Sequence, residues 1–205
     1  MPQYHAIIFD LGKVIFDLSF DRTFQSWANA SGKAFNEIQS RFLFDEIFDK
    51  FEKDEITSAQ FRTKISQRLN LNITNKEFDE GWCDLYLDVY EGIDNLLIDL
   101  KKQYKLIALT NTNFIHFKVW KEKYADILKH FSKIFSSNEM KVRKPEQDGY
   151  QMVLDYLKTP AEKTIFLDDN HENIKGANKL GIKTFLVTSP QQMITDLYKL
   201  LNFYS

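Results

Sequence analysis

Four short apolar runs, each cut off by a polar or acidic residue, constrain this chain most. Residues 6–9 (AIIF) run into Asp10, 106–109 (LIAL) into Thr110, 164–167 (TIFL) into Asp168, and 184–187 (TFLV) into Thr188. Runs this short and this continuously apolar predict strands buried on both faces. Helical periodicity fills the gaps between the later runs. Over 93–104, Ile93, Leu96, Leu97 and Leu100 fall at i, i+3, i+4, i+7, and similar patterns cover 113–124, 146–157, 171–180 and 191–201. Gly181 stands where a helix end favours a left-handed residue. Strand–helix alternation of this kind predicts right-handed crossovers and a parallel sheet. The expected class is α/β, with a Rossmann-like doubly wound core.

Residues 17–90 have a different texture. Phe20, Phe24 and Trp27, then Phe42, Phe44, Phe48 and Phe51, then Phe61, Ile65 and Leu69, then Phe78, Trp82 and Leu85 recur at helical spacing among charges. Thr57 and Thr74 sit at N-cap positions, and Thr74 with Glu77 makes a capping-box pattern. This predicts four helices inserted after the first strand as a cap, with 1–16 plus 91–205 forming the core. Ten of the 18 phenylalanines, Phe16 through Phe78, fall in this stretch and its hinge. A unit of this size has little interior, and aromatic rings supply much buried area per residue. Asp17, Asp21 and the phenylalanine stripe are read as core or solvated helix faces, with a substrate contact, one or two rings facing the pocket, as the alternative.

Composition removes several classes. Formal net charge is −2, from 27 Lys+Arg against 29 Asp+Glu, so no general footprint for nucleic acid exists. Glycines number seven, and neither GxGxxG nor GxxxxGK[ST] occurs. The single cysteine, Cys83, excludes an intrachain disulfide and a cysteine zinc site, and reads as a small core hydrophobe. His5, His116, His130 and His171 show no HExxH spacing. No apolar run approaches the ~20 residues that span a bilayer, and no charged segment followed by a long apolar stretch opens the chain. The expectation is a cytoplasmic protein without nucleic-acid or membrane partners, monomeric or homodimeric.

In an open parallel sheet, ligands bind beyond the carboxyl ends of the strands. Those ends carry Asp10, Thr110-Asn111 and Asp168-Asp169, and Arg143-Lys144-Pro145 opens a helical pattern before the last pair. Carboxylates gathered at one edge repel one another unless a cation is present. Mg²⁺ suits such a site, since it takes a few carboxylates, waters and phosphate oxygens. A carboxylate nucleophile beside Mg²⁺, with lysine and hydroxyl donors for the phosphoryl oxygens, fits phosphoryl transfer from a small-molecule phosphate ester.

The motifs IIFDLGKVIFDL, IALTNTN, RKPE and IFLDDN occur in this order. Asp10 and Thr110 are 100 residues apart, Lys144 follows after 34 and Asp168 after a further 24. Together they resemble the haloacid dehalogenase superfamily over essentially the whole chain, and the insert resembles that family's four-helix cap. FDLGxV, TNTN followed by His116 and Trp120, RKPE, and LDDNxxNIxGAxxLGI are similar to a bacterial subgroup that includes α-D-glucose-1-phosphate phosphatases. The resemblance implies a Mg²⁺-dependent phosphatase of a small monoester, such as a sugar phosphate. It implies that Asp10 is the nucleophile and forms an aspartyl-phosphate. The Gly12 carbonyl and Asp169 would complete the protein's metal ligands, with Asp168 a ligand or a supporting partner. Thr110 and the Asn111 backbone would hold phosphate oxygens, and Lys144 would balance charge on nucleophile and phosphate.

Two positions depart from the pattern. Gly12 stands where most phosphatases of the superfamily keep a second Asp as general acid/base. Such help is worth about 10²–10⁴-fold, so the departure predicts a steep dependence of rate on leaving-group pKa. Lys13 replaces the subgroup's usual Asn and reads as a solvent-facing turn residue, with proton donation the alternative. His116 is open between a substrate contact and a helix cap. Competing readings are a metal-independent haloacid dehalogenase and a non-catalytic binding protein that kept the fold; the Asp168-Asp169 pair favours metal.

Overall fold

The apolar runs become neighbouring parallel strands. A computed structural model describes residues 3–202; residues 1–2 and 203–205, the ends of the expected core, lie outside the described residues. Strand β1 (Ala6–Phe9) is followed by β2 (Phe16–Leu18) and five helices: α1 (Phe20–Ser31), α2 (Phe35–Arg41), α3 (Glu46–Glu52), α4 (Ser58–Leu69) and α5 (Asn75–Cys83). Strand β3 (Tyr86–Val89) and α6 (Ile93–Leu100) lead to β4 (Lys105–Thr110), α7 (Phe114–Lys123) and α8 (Ala125–Leu128). Next come β5 (Lys133–Ser136), α9 (Ser137–Met140), α10 (Gln147–Leu157), β6 (Thr164–Asp168), α11 (His171–Asn178), β7 (Lys183–Leu186) and α12 (Pro190–Leu200).

The main sheet has the order β5-β4-β1-β6-β7, with every described pairing parallel. Alternation along the strands explains why helices cover both faces. Ile7 and Phe9 of β1, Leu106 and Ala108 of β4, and Ile165 and Leu167 of β6 join one core, with Leu97 of α6 and Leu197 of α12. Ala6, Ile8, Ile107, Leu109 and Phe166 join the other, with Tyr150 of α10 and Ala177 of α11. The doubly wound α/β core expected from the sequence is therefore present. Among the described residues no helix is long and apolar enough to cross a membrane.

Strand β5 lacks an apolar run; its sequence KIFS lies at a sheet edge, half covered. Strands β2 and β3 pair antiparallel as a two-stranded ribbon, the hinge through which the insert leaves and re-enters the core. The insert holds five helices rather than the expected four. The pattern read as one helix over 42–51 begins only at α3, because the Asp45 side chain accepts from Ile47 N and starts a new helix there. Phe42 is extended (φ −75°, ψ 131°) and ends α2, a seven-residue helix that buries only Ile38 and so left no periodic signal. Thr57 and Thr74 both form complete capping boxes, as read from the sequence.

The phenylalanine surplus fills the insert's interior. Trp27 and Trp82 stack 5.6 Å apart, Phe51 and Phe61 stack 4.1 Å apart, and Phe24, Phe42 and Phe78 complete the same cluster. Cys83 packs against it, half-buried, and burial pushes its thiol up to about 12.

Candidate active site

The parallel sheet delivers its polar strand ends to one cavity of about 520 Å³, roofed by the cap. Asp10, directly after β1, fixes its backbone by donating N–H to the Leu167 carbonyl at 2.9 Å. Thr110 and Asn111 follow at the end of β4, and Asp168 and Asp169 at the end of β6. Asp10, Gly12, Thr110, Asn111, Lys144 and Asp169 all line the cavity, so the strand-end residues singled out in the sequence converge. Asp168 does not line it but lies directly beneath.

Lys144 is the hub. Its side chain is fully buried, and its Nζ lies 2.9 Å from Asp10 Oδ1 and 2.6 Å from Asp168 Oδ2. Burial works against its charge, but Asp10 and Asp168 outweigh it and hold the ammonium above its ordinary pKa. The Asn111 side chain clamps the Lys144 backbone from both sides, donating Nδ2–H to the carbonyl and accepting the amide N–H, each at 2.9 Å. From the other side, Gly176 of α11 lets the loop approach: a Cβ there would fall 2.8 Å from the Pro145 carbonyl oxygen.

Asp168 is saturated. Besides Lys144, its oxygens accept from Asn173 Nδ2 (3.0 Å to each) and from the Asn170 amide at 2.8 Å. Asp169, by contrast, opens onto the cavity. One carboxylate oxygen from each of Asp10, Asp168 and Asp169 lies within 4.8 Å of the others. Burial, opposed by Lys144 and reinforced by Asp168 and Asp169, pushes Asp10 up to about 7. Burial and Asp168 likewise raise Asp169. One buried ammonium among three carboxylates leaves negative charge uncompensated, and a hard divalent cation fits that deficit.

His116 lines the cavity but turns both ring nitrogens to partners within the protein. Asn113 caps α7 by accepting the His116 amide, and its side-chain amide faces His116 Nδ1 at 3.1 Å. His116 Nε2 lies 2.9 Å from the Trp82 carbonyl, and the ring stacks on the Trp82 indole at 4.5 Å. Those partners assign the proton to Nε2, and burial pushes the ring down to about 3. Lys13, in the left-handed region at φ 62°, reaches Asp17 at 2.8 Å and is 46% exposed, and it also lines the cavity.

Sequence reasoning missed two groups. Asn173, which pins Asp168, lies five residues after it in the first turn of α11, within the LDDNxxNIxGAxxLGI motif, where the spacing alone gives it no role. Glu52 and Asp49 of α3 both line the cavity and both hold Arg143, Glu52 Oε2 accepting from Nε at 2.8 Å and Asp49 Oδ1 pairing with Nη1 at 2.7 Å. Nothing in the local pattern of α3 separates these acids from its solvated ones. Phe20, Phe44 and Phe48, from the stripe whose rings had a pocket-facing alternative, give the cavity an aromatic rim, with Phe44 edge-on to the other two.

Residues 7–187 match the family model for haloacid dehalogenase-like hydrolases. The chain is 24% identical over 202 residues to D-ribitol-5-phosphate phosphatase of Bacteroides thetaiotaomicron, covering 96% of this chain and 98% of that protein. A HAD family enzyme from the same organism, solved with magnesium and inorganic phosphate, superposes with a TM-score of 0.78 at 30% identity, over 91% of this chain and 95% of the other. L-2-haloacid dehalogenase from Xanthobacter autotrophicus shares the fold, with a TM-score of 0.67 at 16% identity over 95% and 88% of the two chains.

Proposed function

The chain belongs to the haloacid dehalogenase-like hydrolases, and from that premise we propose that it is a Mg²⁺-dependent phosphatase of a small sugar or polyol phosphate. The observation that carries this reading is the buried Lys144 bridging Asp10 and Asp168 beside Asp169, at the strand ends beneath a cap. The relative that acts on ribitol 5-phosphate, and the similar enzyme seen with magnesium and phosphate, support the same chemistry. Glucose 1-phosphate is the finer substrate proposal, resting on the subgroup motifs.

Asp10 is assigned as nucleophile: it faces the cavity with one oxygen held by Lys144, leaving the other for phosphorus. Asp10, Asp169 and the Gly12 carbonyl would hold Mg²⁺. Asp168, with its oxygens already engaged, acts by fixing Lys144 and adding charge beside the ion. When bound, Mg²⁺ neutralises phosphate oxygens and lets a dianionic ester approach a carboxylate. Thr110 and the Asn111 backbone would receive the remaining phosphoryl oxygens, and Lys144 would stabilise the charge that develops as the bond to Asp10 forms. The roof of carboxylates and aromatic rings suits hydroxyl-bearing substrates, since acids accept from hydroxyls and ring faces cover C–H surfaces.

The test is release of inorganic phosphate from sugar and polyol phosphates with Mg²⁺. EDTA is expected to abolish it. EDTA-resistant chloride release from 2-chloropropionate would replace this reading with a dehalogenase. Binding without turnover of any ester would leave a non-catalytic protein.

A further inference from the structure

Gly12 raises the question of how the leaving group obtains its proton, since it brings no side chain to the site. A Cβ on Gly12 would fall 2.5 Å from Leu18 Cδ1, so the hinge leucine fills the space. Other groups around the cavity are committed elsewhere. His116 has both ring nitrogens engaged. Lys13 lines the cavity with its ammonium paired to Asp17. Burial holds the Tyr86 phenol far above neutrality. Asp10, Lys144 and Asp169 are already assigned. The two cap carboxylates, Asp49 and Glu52, remain.

These two share one cation. Arg143 holds Glu52 through Nε and Asp49 through Nη1. The Asp49 side chain is 45% exposed and the Glu52 side chain 7%. A single guanidinium between two carboxylates leaves one negative charge over, and the buried partner is the costlier place to keep it. The charged and titratable groups around Glu52 are Asp49 on its own helix, Arg143 and Lys144 on the loop before α10, and Tyr86 on β3. Burial, opposed by Arg143 and aided by Asp49, lifts the Glu52 carboxyl to about 7.

We propose that Glu52 is the proton-transfer residue of this site, a cap-borne acid doing the work for which Gly12 has no side chain. The inference rests on the phosphatase reading. In the first half-reaction an Asp10 oxygen bonds to phosphorus, the ester P–O bond breaks, and the departing oxygen takes the proton of Glu52. In the second, the Glu52 carboxylate takes a proton from water as the water oxygen bonds to phosphorus. The P–O bond to Asp10 then breaks, which frees phosphate and restores both side chains. Arg143, one residue from Lys144, ties the acid's position to that of the nucleophile's partner.

The experiment compares kcat/KM for p-nitrophenyl phosphate with that for alkyl phosphates, glycerol 3-phosphate and ribitol 5-phosphate, all in Mg²⁺. Wild type is expected to depend only weakly on leaving-group pKa, where Gly12 alone predicts a steep dependence. Glu52→Gln is expected to lower the alkyl esters by about 10²–10⁴-fold and the aryl ester far less, because nitrophenolate leaves without a proton. Glu52→Asp, which keeps the acid, recovers part of the alkyl rate. An equal loss on both ester classes in Glu52→Gln, or no loss on the alkyl esters, overturns the proposal while leaving the phosphatase reading intact. Wild-type enzyme inert toward every ester would remove the phosphatase reading and this inference with it.

Discussion

Lys144 carries the largest electrostatic responsibility of any single residue in the site. Replacing it with Met leaves Asp10 and Asp168 buried without their counter-ion, and breaking a buried pair of this kind typically costs about 3–5 kcal/mol. Lys144→Met is therefore expected to lower the urea midpoint of the metal-free protein markedly as well as abolish turnover; unchanged stability would show that the bridge matters only in catalysis. Glu52 makes a prediction of opposite character. Between its ordinary value of 4.5 and its folded value of about 7, the folded state keeps a proton that the unfolded chain has released. The stability this contributes is complete below pH 4.5 and is lost as pH rises through about 7. Glu52→Gln, a neutral isostere, should accordingly gain on wild type as pH climbs across that window, measured by denaturant midpoints; a constant gap would contradict the assigned shift. At this scale the sequence was readable wherever a residue followed an apolar run: Asp10, Thr110, Asp168 and Asp169 are placed by their strands. The Asn111 side-chain clamp, Asn173 beneath Asp168, and Glu52 in the roof were not readable. Each acts on a partner 5 to 91 residues away that only the folded chain brings near.

Two elements decide where the site's cation sits and what faces it. Helix α11 presses Gly176 against the Pro145 carbonyl, fixing the loop that carries Lys144. Gly176→Ala puts a methyl where 2.8 Å is available. Such overpacking commonly costs about 1–3 kcal/mol, and displacement of Lys144 is expected to lower kcat more than it raises KM; loss of stability with full activity would show that the loop yields without moving the lysine. Helix α3 and its exit seat the cap on the core. Besides the Arg143 contacts, Lys53 lies 3.4 Å from Glu146, and Lys141 pairs with Asp54. The core elements were legible because buried parallel strands announce themselves as apolar runs. Strand β5, at the edge and half covered, did not. In the cap the apolar spacing located helices but not their ends. A break at Asp45 and a seven-residue helix burying one side chain carry too little periodicity to be seen.

The whole molecule is a division of labour between a sheet edge and a roof. The edge supplies Asp10, Thr110 and Asp169 on rigid strand ends and Lys144 on the loop before α10, and the roof supplies aromatic rings and two acids on α3. The β2–β3 ribbon joins the two units and places Leu18 against Gly12. An ordinary composition and a charge near zero revealed none of this, because the arrangement depends on which strand ends adjoin. The motif order anticipated the edge, whereas the roof needed the fold. Every role assigned at this edge depends on Asp10 being the phosphoryl acceptor. Turnover with Mg²⁺ and a reactive ester, stopped in acid and followed by peptide mass mapping, is expected to find a phosphoryl group on the peptide containing Asp10 and none in Asp10→Asn. Phosphate released at the wild-type rate by Asp10→Asn, or a phosphoryl group carried on a different residue, would contradict it.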